Sequence, residues 1–210
     1  MTLDRLRPIA DRMLEPFVDA ADRVGLSPDS VSVIAFLVAG SAACAFYFAG
    51  AGSVVFAGER RLLYAVGGVL VAANGWLDLL DGALARRQEV ASKAGDLLDH
   101  VLDRYADVVI IAGLAAGVGQ YALGFAAVTG VLLTSYLGTQ SQAVGLDRVY
   151  GGLLGRADRL VLVGIAGVLA AIYPDPIGWF TVIGWLLVVF AVVGHFTALQ
   201  RFVGAWRALS

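Results

Sequence analysis

Residues 78–103 read DLLDGALARRQEVASKAGDLLDHVLD, and the reading of this stretch decides what kind of molecule the chain makes. Asp78 and Asp81 end an apolar run that begins near Leu62, and Asp99 and Asp103 open another that leaves through Ile110 to Ala116. Between them stand Arg86, Arg87, Glu89, Ser92 and Lys93, a polar turn. The stretch therefore predicts two helices joined at one membrane face, with aspartates three and four apart and so on shared helix faces. Carboxylates inside apolar helices are costly unless a cation or a wet cavity accommodates them, which makes the cluster a functional-site hypothesis.

Composition supports the membrane setting. The 210 residues are 59% hydrophobic and only 15% charged, and mean hydropathy is +0.79; a soluble domain is nearer a quarter charged. A net charge of −2 gives no sign of a nucleic-acid partner. The single cysteine, Cys44, lies in an apolar run and reads as a small buried hydrophobe. The first 20 residues are charged and lack the apolar region of a cleaved signal peptide. Leu3, Leu6, Ile9, Met13, Leu14, Phe17 and Val18 instead follow helical spacing, which predicts an amphipathic helix lying in the interface.

Working outward, six spans are expected: Val31 to Gly58, Leu62 to the first aspartates, Ser92 to Ala116, a fourth after the turn Gly117-Val118-Gly119-Gln120, Leu160 to Tyr173, and Ile177 to about Gln200. Pro174 and Pro176 stop the fifth. The expected class is an all-α membrane protein, an amphipathic juxtamembrane helix over residues 1–24 followed by a six-helix transmembrane catalytic domain over residues 25–210. With six spans both termini share a side. Arg5, Arg7, Arg12, Arg23, Arg86, Arg87, Lys93, Arg148, Arg156, Arg159, Arg201 and Arg207 fall there, against Arg60 and Arg61 opposite, so the termini and the aspartates face the cytoplasm of a cell-membrane protein.

Facing helices would bring Asp78, Asp81, Asp99 and Asp103 together. Hard oxygen ligands suit Mg²⁺, Mn²⁺ or Ca²⁺, and no Cys/His cluster asks for zinc. Gly82 and Ala85 remove bulk beside the carboxylates, and Arg86 can hold a phosphate oxygen. Two metal ions and an arginine beside a phosphate suit in-line phosphoryl transfer, with a spare carboxylate as general base. Arg148, Arg156 and Arg159 can capture a phosphate on the acceptor, which predicts a phosphorylated polyol. Asp96 and Asp29 read as helix caps, and Asp107 as an internal ion pair with Arg104. His100 and His195 read as structural. Asn74, one turn before Asp78, can hold a metal ligand or a backbone group.

The pattern Asp78-x2-Asp81-Gly82-x2-Ala85-Arg86-x8-Gly95-x3-Asp99-x3-Asp103 resembles the signature of the CDP-alcohol phosphotransferases, with every fixed position present. The resemblance implies a six-helix homodimer in the lipid bilayer that passes the lipid-phosphoryl group of a CDP-lipid donor to an alcohol and releases CMP. It implies Asp78, Asp81 and Asp99 as ligands of two Mg²⁺ or Mn²⁺ ions, and Asp103 as a ligand of the second ion or the catalytic base. Asp78, Gly82, Ala85 and Arg86 would line the CDP site together with Ser32, which follows Pro28 and Asp29 where the family often carries Pro-Asn and then Thr or Ser. Tyr136 and Gly155-Arg156-Ala157-Asp158-Arg159 are similar to the members that build phosphatidyl- or archaetidylinositol phosphate. Those members tend to carry Lys and Arg after the Ser-Tyr pair, where this chain has Leu137-Gly138-Thr139-Gln140, and glycerol phosphate stands second as acceptor. Two other classes compete. A UbiA-type prenyltransferase would share Asn74-x3-Asp78 but has no use for Gly82-x2-Ala85-Arg86. A divalent-cation transporter would need polar positions continuing to the far side, where the helices are apolar.

Overall fold

The computed structural model describes residues 7–51, 59–90, 92–147 and 152–210, with side chains described from Met13 onward. Among the described residues there are seven helices: α1 (Arg7–Arg23), α2 (Pro28–Ala51), α3 (Arg60–Arg87), α4 (Lys93–Gly117), α5 (Tyr121–Ala143), α6 (Arg156–Ile172) and α7 (Val182–Leu209). Four of them, α2, α3, α5 and α7, are long and apolar enough to cross a membrane, and the chain is a multi-pass membrane protein. The other two expected spans are different in kind. The first 15 residues of α4 carry Asp96, Asp99, Asp103, Arg104 and Asp107, and α6 has only 17 residues.

Local chemistry explains the boundaries. Pro28 opens α2, where its missing N–H costs nothing, and the Ser27 hydroxyl accepts the Ser30 N–H at 3.2 Å. Ser92, in extended backbone, caps α4 by accepting from Gly95 N. The α3–α4 turn passes through Glu89 at φ 54°, and the α4–α5 turn through Gly119 at φ 69°, a left-handed conformation that glycine adopts without strain. The last helix starts later than the apolar run predicts, because Ile177 and Phe180 pair in a short antiparallel bridge. Thr181 then caps α7 by accepting from Gly184 N at 3.2 Å.

Helix α2 lies against both α3 and α4, α3 also packs on α6, and α5 pairs with α7. The core between them holds Phe46, Tyr64, Val71, Ile110, Leu114 and Phe190. Close approach matters most between α2 and α4, where a Cβ at Gly113 would strike the backbone of Ala43. Outward-facing Leu37, Val69, Phe125 and Val192 are exposed, as befits a surface solvated by lipid. Helix α1 lies across the end of α3, burying Leu14, Val18 and Ala21 with Leu80 and Leu84. Arg87 donates to Asp19 at 2.9 Å, and Gln88 donates to Asp22 at 2.9 Å, so α1 is pinned beside the aspartate stretch. Met13 and Phe17 remain exposed; Leu3 and Leu6 lie outside the described residues.

Candidate active site

The turn after α3 sends α4 back alongside it, and the i, i+4 spacing on α4 turns Asp99 and Asp103 toward Asp78. One carboxylate oxygen from each of Asp78, Asp99 and Asp103 lies within 4.8 Å of the others. Oxygens bound at ~2.1 Å to an Mg²⁺-sized ion stand within ~4.2 Å of one another, so a slight closure of this set fits such an ion. All three are half-buried.

Asp81 takes a neighbouring place. Its buried carboxylate accepts from the Ser32 hydroxyl of α2 at 2.7 Å, and both residues line the same cavity as the three other aspartates. Asn74 lines it too. Its Nδ2 donates to the Ala35 carbonyl at 2.9 Å, while its Oδ1 is buried without a hydrogen-bond partner among the described residues.

Arg156, the first residue of α6, forks across the two helices. Nη1 lies 2.5 Å from Asp78 Oδ2 and Nη2 2.6 Å from Asp103 Oδ1. One turn deeper on α4, Asp107 meets Arg159 at 2.6 Å and Arg104 at 3.5 Å, so the ion pair read from the Arg104-Asp107 spacing gains a second arginine. Arg104 also reaches Asp103 at 3.5 Å and donates to Ser135 on α5.

The remaining sites read from the sequence are more dispersed. Gly82 and Ala85 are half-buried and Arg86 is exposed, with Arg86 Nη1 3.6 Å from where a Cβ on Gly82 would stand. Asp29 lies against the start of α4, its Oδ1 3.2 Å from a Cβ built on Gly95. Arg148 lies outside the described residues. Asp96 is exposed in the first turn of α4, where His100 Nδ1 approaches its backbone oxygen at 2.8 Å; His195 does the same to Ala191.

Two features escape a reading of the sequence. The bridge from Arg156 to Asp78 and Asp103 was visible only as an excess of carboxylates in need of cations. The buried Arg201, which donates to the Thr134 carbonyl at 2.7 Å, looked like a topology charge.

A family model for CDP-alcohol phosphatidyltransferase matches residues 25–197. The chain belongs to that family. It is thus a transferase of phospholipid biosynthesis. Among CDP-alcohol phosphatidyltransferases it is 33% identical over 208 residues to the archaetidylinositol phosphate synthase of Methanothermobacter thermautotrophicus, covering 99% of this chain and 95% of that protein. It is 33% identical over 198 residues to the phosphatidylinositol phosphate synthase of Mycolicibacterium smegmatis, covering 90% and 82%. The fold matches the crystal structure of the Mycobacterium tuberculosis phosphatidylinositol phosphate synthase in complex with manganese and citrate, with a TM-score of 0.76 and 23% identity over 92% of this chain and 88% of that one. A structure of the same mycobacterial protein has CDP-DAG bound.

Proposed function

We propose that this protein transfers the phosphatidyl or archaetidyl group of a CDP-lipid to a hydroxyl of inositol phosphate, releasing CMP. The observation that carries this reading is the convergence of Asp78, Asp99 and Asp103 within 4.8 Å. Two relatives, an archaetidylinositol phosphate synthase and a phosphatidylinositol phosphate synthase, support the acceptor class, and a related structure in complex with manganese and citrate supports the metal. Asp78, Asp81, Asp99 and Asp103 would hold two Mg²⁺ or Mn²⁺ ions, which when bound neutralise the oxygens of the diphosphate.

The chain's own groups supply the rest. Asp103 takes the proton of the acceptor hydroxyl. The hydroxyl oxygen then bonds to the lipid-bearing phosphorus as the bond from that phosphorus to the CMP oxygen breaks. Ser32 fixes the buried Asp81, and Asp78, Gly82, Ala85 and Arg86 form the wall for the nucleotide. Arg156 and Arg159, with Arg148, receive the acceptor phosphate. The Nε atoms of Arg156 and Arg159 are buried without a hydrogen-bond partner among the described residues, and an anion's oxygens would supply one.

In this reading α2 to α7 are six spans, the 17 residues of α6 sitting at the short end of the ~17–25 a span needs. Helix α1 lies in the interface, the catalytic end faces the cytoplasm, and the enzyme works as a homodimer. Glycerol phosphate is the second acceptor, favoured by the α5 end, where Gly138, Gln140 and Gln142 offer no cation. CMP release by the purified protein from a CDP-lipid, across inositol phosphate, glycerol phosphate, serine and free inositol, tests the proposal. Inositol phosphate should give the fastest release; fastest release with serine or free inositol would refute a phosphorylated acceptor.

A further inference from the structure

Asp78 and Asp103 already share a cation. Arg156 spans them with contacts of 2.5 and 2.6 Å, and the same two residues join Asp99 in the oxygen set that fits a divalent ion. The other arginines nearby are otherwise engaged. Arg159 pairs with Asp107 at 2.6 Å, and Arg104 divides itself between Asp103 and Asp107 at 3.5 Å each.

Charge arithmetic sets Arg156 against the metals. The four aspartates of the proposed metal site carry −4 and two divalent ions carry +4, so a fully loaded site is neutral without Arg156 and carries +1 with it. A guanidinium a few ångströms from a divalent ion in a half-buried site repels it appreciably even at an effective dielectric of about 20. The guanidinium is also incompletely satisfied where it sits, since its buried Nε has no hydrogen-bond partner among the described residues. That lowers the cost of moving it.

We propose that Arg156 is a resident counter-cation of the carboxylate site, holding Asp78 and Asp103 together and yielding them when the second divalent ion binds, so that it limits the site's affinity for metal. The proposal rests on the metal-dependent reading above. Toward the metals Arg156 is a positioning residue, free to receive the acceptor phosphate only after it has left the carboxylates, and its removal has an effect that loss of a merely structural contact would not produce: tighter metal binding.

The test is a titration of the purified full-length protein in detergent with Mn²⁺ alone, following the free-ion electron paramagnetic resonance signal. Arg156→Gln should bind Mn²⁺ roughly tenfold or more tightly than the parent, from the removed repulsion. Arg156→Lys keeps the charge but cannot fork across two carboxylates, and should fall between. Arg87→Gln, which removes a surface charge paired with Asp19, should match the parent. Should Arg156→Gln aggregate, Arg156→Lys decides, with tighter binding than the parent supporting the proposal. Equal or weaker binding by the Arg156 variants, with the parent binding normally, overturns the counter-cation role alone. Absence of Mn²⁺ binding in every protein overturns the metal reading and this proposal with it.

Discussion

Asp103 and Asp107 stand one turn apart on the same helix, yet they keep different company. Asp107 is closed in by Arg159 and Arg104, two guanidiniums for one carboxylate. Asp103 belongs to a group of three carboxylates for which Arg156 is the principal cation. The first carboxylate is more than neutralised by the protein itself, while the second arrangement keeps a surplus of negative charge for something brought from outside. Spacing alone does not separate a ligand from a structural ion pair; the cations within reach do.

Substitutions can break or sharpen that contrast when each is scored by Mn²⁺ affinity. Asp99→Asn removes a carboxylate from the surplus group and should weaken Mn²⁺ binding at least ~10²-fold, beyond the ~10–100-fold typical of residues that merely support a ligand. Ser32→Ala leaves Asp81 without its 2.7 Å donor and should cost about tenfold, the lower end of that supporting range. Asp107→Asn should leave Mn²⁺ affinity within about threefold while lowering thermal stability by about 3–5 kcal/mol, because the buried Arg159 loses its carboxylate partner. If Asp107→Asn instead abolished Mn²⁺ binding in a folded protein, the two carboxylates would not differ in kind. Asp96→Asn, on an exposed first-turn residue, should change neither quantity measurably.

Much of the bundle was legible in the sequence because its punctuation is local. Ser92, Gly119 and Pro174 end or begin helices through chemistry that acts over a few residues, and the i, i+4 step from Asp99 to Asp103 needs no tertiary knowledge to be read. The start of α7 was less so, since the Ile177–Phe180 bridge competes with an uninterrupted apolar run. At the site, what stayed hidden depends on distant elements meeting. Asp81 turns to Ser32 only because α2 passes beside α3, and Arg156 bridges Asp78 and Asp103 only because the start of α6 reaches both. Helix α4 is as long as expected at 25 residues but polar over its first turns, which a helix flanked by partners can tolerate and an isolated span could not, and α6 has only 17 residues.

The claim that these carboxylates serve a metal-dependent transfer from a CDP-lipid is tested most directly by CMP release. Purified protein is given a CDP-lipid and inositol phosphate in excess chelator, and Mn²⁺ or Mg²⁺ is then titrated back. The account predicts no CMP above background until free metal appears, a saturable rise thereafter, and no rise for Asp99→Asn. Full CMP release in excess chelator, or an undiminished rise in Asp99→Asn, would contradict it.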